Sequence, residues 1–343
     1  MEAGRYGIVG NGYVPRFWEG IIMEAVKEKT MNRLVDSYFR HIHKLRVQLT
    51  DACNFRCFYC MPENIKFMKR SNLLRADEII NICSFLNEYG IDEIRVTGGE
   101  PTIRAEFEEI ISGLSELSLN KLGLTTNGFS LEKKLPFLKM TNCKNINVSL
   151  DSLNRDKFAK ITKSNYFDSV YSSILKARDL GFAVKVNVVL FRGINDNEIS
   201  DFIKFSANHD IEVRFLELMK IGPAYEMNPE LFIPADEIIN KIKKTEDLIK
   251  IKVSLDSTSF NFRTSSGAKI GFIASESKPF CFSCSRLRLS ATGKLRACLM
   301  SENGIDLKDK SKNEYPDILN SVMAMKPYDR IHHIEQSMNQ IGG

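Results

Sequence analysis

The stretch TDACNFRCFYCMPE, residues 50–63, decides how the rest of the chain is read. It sets Cys53, Cys57 and Cys60 in a C-x3-C-x2-C spacing directly behind the β-rich run LRVQL at 45–49. Three thiols in such a pattern are a ligand set before they are anything else. Structural zinc wants four ligands, and no fourth lies nearby. Three thiolates on a 4Fe–4S cluster leave one iron without a protein ligand, open to a small molecule. The position counts as well as the spacing. Loops that follow the strands of a parallel α/β sheet are where such folds hold their ligands.

Outward from this triad, β-rich and helical runs alternate. Residues 45–49, 91–98, 121–127, 145–150, 184–191 and 211–218 read as strands. Between them, apolar residues at helical spacing mark helices over 76–89, 105–117, 130–139, 169–182 and 197–209. Such a series predicts a parallel sheet covered by helices. Six strands suit either a doubly wound sheet or an incomplete barrel, and periodicity does not choose between them. After Gly222 the alternation fades. FIPADEIINKIKK (232–244) predicts one further helix, and 250–274 predicts antiparallel strands. Residues 1–35 read as a flexible extension with room for a short amphipathic helix over 18–34. Their glycines Gly4, Gly7, Gly10 and Gly12 lack the preceding strand of a dinucleotide loop. The expected division is therefore 1–35, 36–225 and 226–343.

Composition narrows the function classes. The 343 residues are 43% hydrophobic and 27% charged, enough to bury a core and to exclude disorder for the bulk. No apolar run approaches the ~18 residues of a membrane span. The N-terminus lacks the basic-then-apolar pattern of a secretory signal, so a reducing, cytoplasmic setting without a membrane partner is expected. The net charge of +5 suits an anionic small molecule better than a nucleic acid. Of the eight cysteines, Cys83 falls on an apolar helical face and Cys143 in a turn. Both read as ordinary free thiols. The remaining three, Cys281, Cys284 and Cys298, give C-x2-C-x13-C in FCFSCSRLRLSATGKLRACLM (280–300). A zinc knuckle competes here, but one cysteine follows the pair, and the nearest later histidines are His332 and His333.

Polar residues recur at successive strand ends: Gly98-Gly99-Glu100-Pro101, Thr125-Thr126-Asn127-Gly128 and Ser149-Leu150-Asp151. One such group caps a helix; three in series point to a ligand-binding rim, with the glycines allowing close approach of a ligand. Arg46, Arg95, Lys185 and Arg214 lie on or beside strands, and Arg286 and Arg288 follow the second cysteine pair. A buried arginine is costly without a partner. Several converging on one cavity point to a polyanion, which guanidinium groups grip with forked hydrogen bonds.

The first triad, with Tyr59 before its last cysteine and GGEP after the second strand, resembles the radical S-adenosylmethionine (SAM) superfamily. That resemblance implies an incomplete (β/α)6 TIM-type barrel. It implies a 4Fe–4S cluster on Cys53, Cys57 and Cys60, and SAM contacts at Tyr59, Gly98, Gly99, Glu100, Asn127, Ser149 and Met219. The motif FCxxCSRLRLxxxGxLxxCL and the terminal Gly342-Gly343, with similarity from about Leu34 to the end, resemble the GTP 3′,8-cyclase family of molybdenum cofactor biosynthesis. This implies a C-terminal α+β region with a second 4Fe–4S cluster on Cys281, Cys284 and Cys298. GTP contacts are implied at Arg46, Arg95, Thr125, Thr126, Lys185, Arg214, Arg286, Leu287 and Arg288, and a catalytic tail at Gly342 and Gly343. The implied reaction abstracts the ribose C3′ hydrogen of GTP and joins C3′ to guanine C8. It requires an electron donor and a downstream cyclic pyranopterin monophosphate synthase, and is compatible with a homodimer. Two positions depart from the family. Ser285 stands where asparagine is usual, and Lys220 where proline commonly follows RFLELM. Two other readings compete: a related radical SAM enzyme for another nucleotide or a peptide, and a non-catalytic iron–sulfur or zinc scaffold.

Overall fold

The computed structural model describes residues 34–342 and, ahead of them, two strands. These are β1 (Tyr6–Val9) and β2 (Gly12–Pro15), which pair antiparallel as a separate ribbon, so regular structure stands where a plain lead-in was expected. Gly343 and most of the 18–34 helix expectation lie outside the described residues.

The main body is one twelve-stranded sheet. Its centre is β3 (Lys44–Gln48), β4 (Glu93–Thr97), β5 (Lys121–Thr126), β6 (Cys143–Ser149), β7 (Ala183–Val189) and β8 (Glu212–Leu216). These six run parallel and lie side by side in chain order. A doubly wound sheet reverses its strand order at a switch point. No reversal occurs here, so the order is that of a barrel wall. The crossovers are filled by α1 (Ala76–Glu88), α2 (Phe107–Ser115), α3 (Leu131–Lys139), α4 (Arg155–Thr162), α5 (Phe167–Asp179) and α6 (Ile199–His209). Helix α4 was missed because it is short: RDKFAKIT is eight residues, four of them charged, and its apolar positions, Phe158 and Ile161, span a single turn.

Alternation along each strand separates two faces. Leu45 and Val47 of β3, Ile94 and Val96 of β4, and Val184, Val186 and Val188 of β7 are buried in the main hydrophobic core. The intervening residues, Arg46, Arg95 and Lys185 among them, face the other way, into the barrel. Cys143 opens β6 and is fully buried, which corrects its placement in a turn. Cys83 is buried on α1 as expected.

Beyond β8 come α7 (Ala224–Leu231), which the sequence reading did not expect, and α8 (Ala235–Ile242), which is the helix expected over 232–244. Pro234 separates the two. A proline restricts the residue before it to extended backbone, and Pro234 itself, with ψ 145°, is the N-cap of α8. Then β9 (Leu248–Ile251), β10 (Phe260–Thr264) and β11 (Lys269–Ile273) pair antiparallel, as expected. The sequence did not show where they go. Strand β11 docks parallel on β8, and β12 (Arg286–Leu289) docks parallel on β3 at the opposite edge. From β12 the sheet continues antiparallel through β13 (Lys294–Arg296) and β14 (Ile305–Asp306). The C-terminal region thus extends the barrel wall at both edges, and α9 (Tyr315–Ala324) and α10 (Met338–Ile341) complete the chain.

Phe272 of β11 fixes one of these junctions. It is fully buried, with its ring centroid 5.8 Å from Phe215 of β8 and 5.5 Å from Phe260 of β10. Phe272→Ala is expected to cost about 3–5 kcal/mol. Urea unfolding followed by circular dichroism measures the loss.

Candidate active site: two cysteine triads and a basic cavity

The loop after β3 carries the first triad, and the GGEP segment after β4 clamps it. Gly99 N–H donates to Thr50 O at 2.6 Å, and Glu100 N–H to Ala52 O at 2.8 Å. A Cβ on Gly99 would lie 2.4 Å from the carbonyl oxygens of Asp51 and Ala52. The close approach these glycines permit is therefore that of the cysteine loop itself. Glu100 is fully buried. Its carboxylate accepts from Thr102 N–H (3.0 Å) and Oγ1 (2.6 Å), Thr126 Oγ1 (2.7 Å) and Asn127 N–H (2.6 Å). Burial raises its pKa, and these donors pull the other way. Glu100 and Thr126 thus tie the GGEP segment to the end of β5, and their side chains are occupied. Asn127 reaches back to the triad, its Nδ2 2.8 Å from Asn54 Oδ1 and 3.7 Å from Cys53 Sγ.

Tyr59 donates its hydroxyl to Asp151 Oδ2 at 2.8 Å. Burial pushes Asp151 up to about 6, against the pull of Val189 N–H and Tyr59. Burial also lifts Cys53 to about 11, Cys60 to about 12, and Cys57 well above the thiol range. A metal taking these sulfurs displaces protons. Among the described residues, no three cysteine, histidine or carboxylate side chains are gathered as a single ion requires. Several buried polar atoms around the barrel end have no partner: Asp51 Oδ1, Thr125 Oγ1, Asn187 Oδ1 and Asn339 Oδ1. Ser149 pairs in register with Asn187, and Thr125 with Asn147. Orphaned groups on one rim fit a polar ligand seated there. Met219 lines a cavity of about 70 Å³ beside Tyr59, Leu218 and Met338.

Cys281, Cys284 and Cys298 together line a second cavity, of about 100 Å³, with Arg46, Arg286, Arg288 and Met219 also on its wall. Burial raises Cys281. It acts to raise Cys284 as well, but Lys326 and Arg286 outweigh it and hold that thiol at about 7.

The third space is a polar cavity of about 310 Å³ inside the barrel. Lys44, Arg46, Arg95, Lys121, Lys185, Arg214 and Arg286 line it. Glu212 pairs with Lys185 at 2.7 Å and with Arg214 at 2.6 Å, and Asp256 pairs with Lys44 at 2.7 Å. Arg46, Arg95, Lys121, Arg286 and Arg288 have no carboxylate within ion-pair distance among the described residues. Burial first, then Arg288, Arg95, Arg286 and Arg214, push Arg46 well below the usual guanidinium range. Gly123 has a reason in this layer. A Cβ there would lie 2.9 Å from Arg95 Nη2, which crosses β5 as Arg95 Nη1 donates to Leu124 O at 3.0 Å.

Five of the six basic residues singled out from the sequence meet in this cavity. Arg288 instead belongs to the second triad's cavity, and Arg46 and Arg286 border both. Leu287 turns its side chain into the hydrophobic core, so only its peptide is left to meet a ligand. Lys44, Lys121, Asp256 and Lys326 were missed. The first two sit at the polar-face positions of β3 and β5, so strand alternation could have found them. Asp256 lies between β9 and β10, inside the stretch read as strands, and Lys326 lies just past α9.

The tail reaches both triads. Gly342 O accepts from Arg288 Nη1 at 2.8 Å and from Thr97 Oγ1 at 3.3 Å. Gln48 Nε2 holds Asn339 O at 2.7 Å, and Met338 N–H donates to Cys60 O at 3.1 Å. Gly342 has φ +67°, and a Cβ there would lie 2.8 Å from Gln48 Cβ. Both family departures have local partners. Ser285 Oγ donates to Asp256 Oδ2 at 2.6 Å. Lys220 N–H donates to Glu276 Oε1 at 3.1 Å, a bond that proline cannot make.

The barrel and the cysteine loop after its first strand define a radical SAM enzyme. Residues 47–206 match the radical SAM superfamily, and residues 211–330 match the Molybdenum Cofactor Synthesis C family. A Streptococcus suis SuiB structure bound to S-adenosylmethionine shares the fold with TM-score 0.61 at 13% identity, over 92% of this chain and 74% of that one. The GTP 3′,8-cyclase of Synechocystis is 45% identical over 90% of this chain and 95% of the relative. That of Aquifex aeolicus is 39% identical over 82% and 89%. The chain belongs to the GTP 3′,8-cyclase family. SAM and 4Fe–4S clusters are its cofactors. No helix among the described residues is long and apolar enough to cross a membrane.

Two outcomes follow from the charges. Arg46→Met relieves the repulsion among the arginines, so its Tm without ligand is expected to exceed that of the parent protein. Inorganic tripolyphosphate should raise the parent Tm and leave the variant nearly unmoved, as differential scanning fluorimetry reads directly. In metal-free, reduced protein, iodoacetamide should modify Cys284 half-maximally near pH 7, whereas Cys53 should need pH near 11, as peptide mass spectrometry resolves.

Proposed function

We propose that this chain converts GTP to 3′,8-cyclo-7,8-dihydro-GTP, the first step of molybdenum cofactor biosynthesis. The observation that carries the reading is the basic cavity, whose unpaired arginines border the second cysteine triad through Arg46. A cavity with this charge and position fits a nucleoside triphosphate whose base lies toward that triad.

In this reading Cys53, Cys57 and Cys60 hold one 4Fe–4S cluster, and Cys281, Cys284 and Cys298 hold the other. When bound, the first cluster would supply the electron for reductive cleavage of SAM. The chain's own residues position the reactants. Gly98, Gly99, Asn127, Ser149, Tyr59 and Met219 surround SAM. Arg95, Lys185, Arg214, Arg286 and Arg46 take the triphosphate, with Lys44 and Lys121 extending the same field. Thr125 offers an unused hydroxyl to the ligand. Arg288 holds the Gly342 carbonyl between the two triads, so the tail closes the space where C3′ must meet C8. Water kept from that space cannot quench a radical. Residues 36–225 serve SAM and 226–343 serve the base, as two functional halves of one sheet. The reaction needs a one-electron donor, and its labile product needs a prompt downstream cyclic pyranopterin monophosphate synthase. A reducing cytoplasm suits both triads, and the reading is compatible with a homodimer.

The test is anaerobic reconstitution followed by incubation with SAM, reductant and separate nucleotides. GTP-dependent 5′-deoxyadenosine and a cyclised guanine product are expected. SAM cleavage with another nucleotide or a peptide, but not with GTP, would assign a different substrate. Deleting Gly342 and Gly343 should abolish cyclisation while leaving the iron content unchanged.

A further inference from the structure

We propose that Lys326 is a positioning residue for the second cluster: its buried ammonium group grips the Cys284 sulfur and sets the cluster's reduction potential. The proposal rests on reading Cys281, Cys284 and Cys298 as a 4Fe–4S site.

Lys326 follows α9 and is 4% exposed. A lysine is almost never so buried without a partner. Its Nζ donates to Arg286 O at 2.7 Å, Ala297 O at 2.9 Å and Cys284 Sγ at 3.6 Å. No carboxylate lies within ion-pair distance among the described residues. Two carbonyls satisfy its hydrogens but not its charge, so the anion available to it is the thiolate.

The three contacts join the pieces that carry the triad. Arg286 opens β12 two residues after Cys284, and Ala297 directly precedes Cys298. Lys326 therefore spans both cysteine-bearing segments from behind. It lines neither the triad's cavity nor the basic cavity, which leaves it no route to substrate. Arg40 locks the arrangement in place. Its Nη1 donates to Cys281 O at 2.6 Å and its Nη2 to Pro327 O at 2.9 Å, so the lysine's own segment is tied to the remaining cysteine. Arg286 also approaches Cys284 Sγ, at 3.9 Å, but its Nη2 is committed to Asp256 O at 2.7 Å on the basic cavity. Of the two cations that approach Cys284 Sγ, Lys326 is the one that lines neither cavity.

The consequence is electrostatic. A four-iron core held by three thiolates carries net negative charge, and more of it once reduced. A fixed cation and a hydrogen bond at one sulfur stabilise the reduced form more, which raises the potential. Removing the charge lowers it.

The experiment uses the full chain with Cys53, Cys57 and Cys60 replaced by alanine, so that only the second cluster is read. After anaerobic reconstitution, iron content and an EPR-monitored redox titration are compared for this parent, Lys326→Met and Lys326→Arg. The methionine variant should retain iron and titrate at a more negative potential, and the arginine variant should stay near the parent. A methionine variant at the parent's potential would overturn the proposal, as would an arginine variant displaced as far as methionine. If the methionine variant loses its iron, the arginine variant decides: iron and potential kept support the proposal, both lost overturn it. A parent that binds no iron at this triad overturns the cluster reading itself, and the proposal with it.

Discussion

Arg46 sits in a barrel with four other guanidinium groups near it and, among the described residues, no carboxylate within ion-pair distance. Much of the site's architecture follows from that repulsion. Like charges in a low-dielectric interior destabilise the fold that holds them. The core must absorb the cost, and it does so on the far face of the same strands. Leu45 and Val47 flank Arg46 in sequence and are buried beneath the helices. The period-two alternation of a strand puts stabilising and destabilising residues one position apart. A site held this way is preorganised: its donors already point where negative charge will come, and the ligand, rather than the protein, completes the neutralisation.

The same constraint accounts for the two edge dockings. The six-strand wall supplies Arg46, Arg95, Lys185 and Arg214. Arg286 and Arg288 arrive only when β12 pairs with β3, placing Arg286 beside Lys44 and Arg288 beside Arg46 in register. Strand β11 seals the opposite edge against β8, with Gly271 opposite Arg214. A Cβ at Gly271 would lie 2.8 Å from Asn261 Oδ1 and 3.3 Å from Arg214 Cγ, so the glycine leaves both side chains their room. The C-terminal segment is therefore less an appended domain than the missing part of the wall.

Much of this was legible in the chain. The cysteine spacing, the six strand positions and the basic residues on them were readable because periodicity and motif spacing are local properties. The crossover helices were readable where the apolar pattern ran for several turns, as in α1, and not where it was short and rich in charge, as in α4. What stayed hidden was long-range. Nothing in SRLRL announces that it will pair parallel with a strand some 240 positions earlier. The hydrogen bonds of Glu100 were also hidden: three of its four donors come from Thr102 and Thr126. Lys326 and Asp256 were hidden for a different reason. Each lies in an irregular segment, where no pattern tells a surface lysine or aspartate from a buried one.

Residues 338–342 are fastened across the wall between the first cysteine loop and the second triad's cavity. Anchorage here is by backbone: Gly342 and Asn339 offer carbonyls to Arg288 and Gln48, and Met338 offers its N–H to Cys60 O. Side chains are not needed for any of these contacts. At Gly342 the positive φ and the 2.8 Å approach to Gln48 leave no space for one. The bond that joins this tail to the cationic system comes from Arg288, which lines the second triad's cavity. One guanidinium group thus touches both the tail and the wall of that cavity.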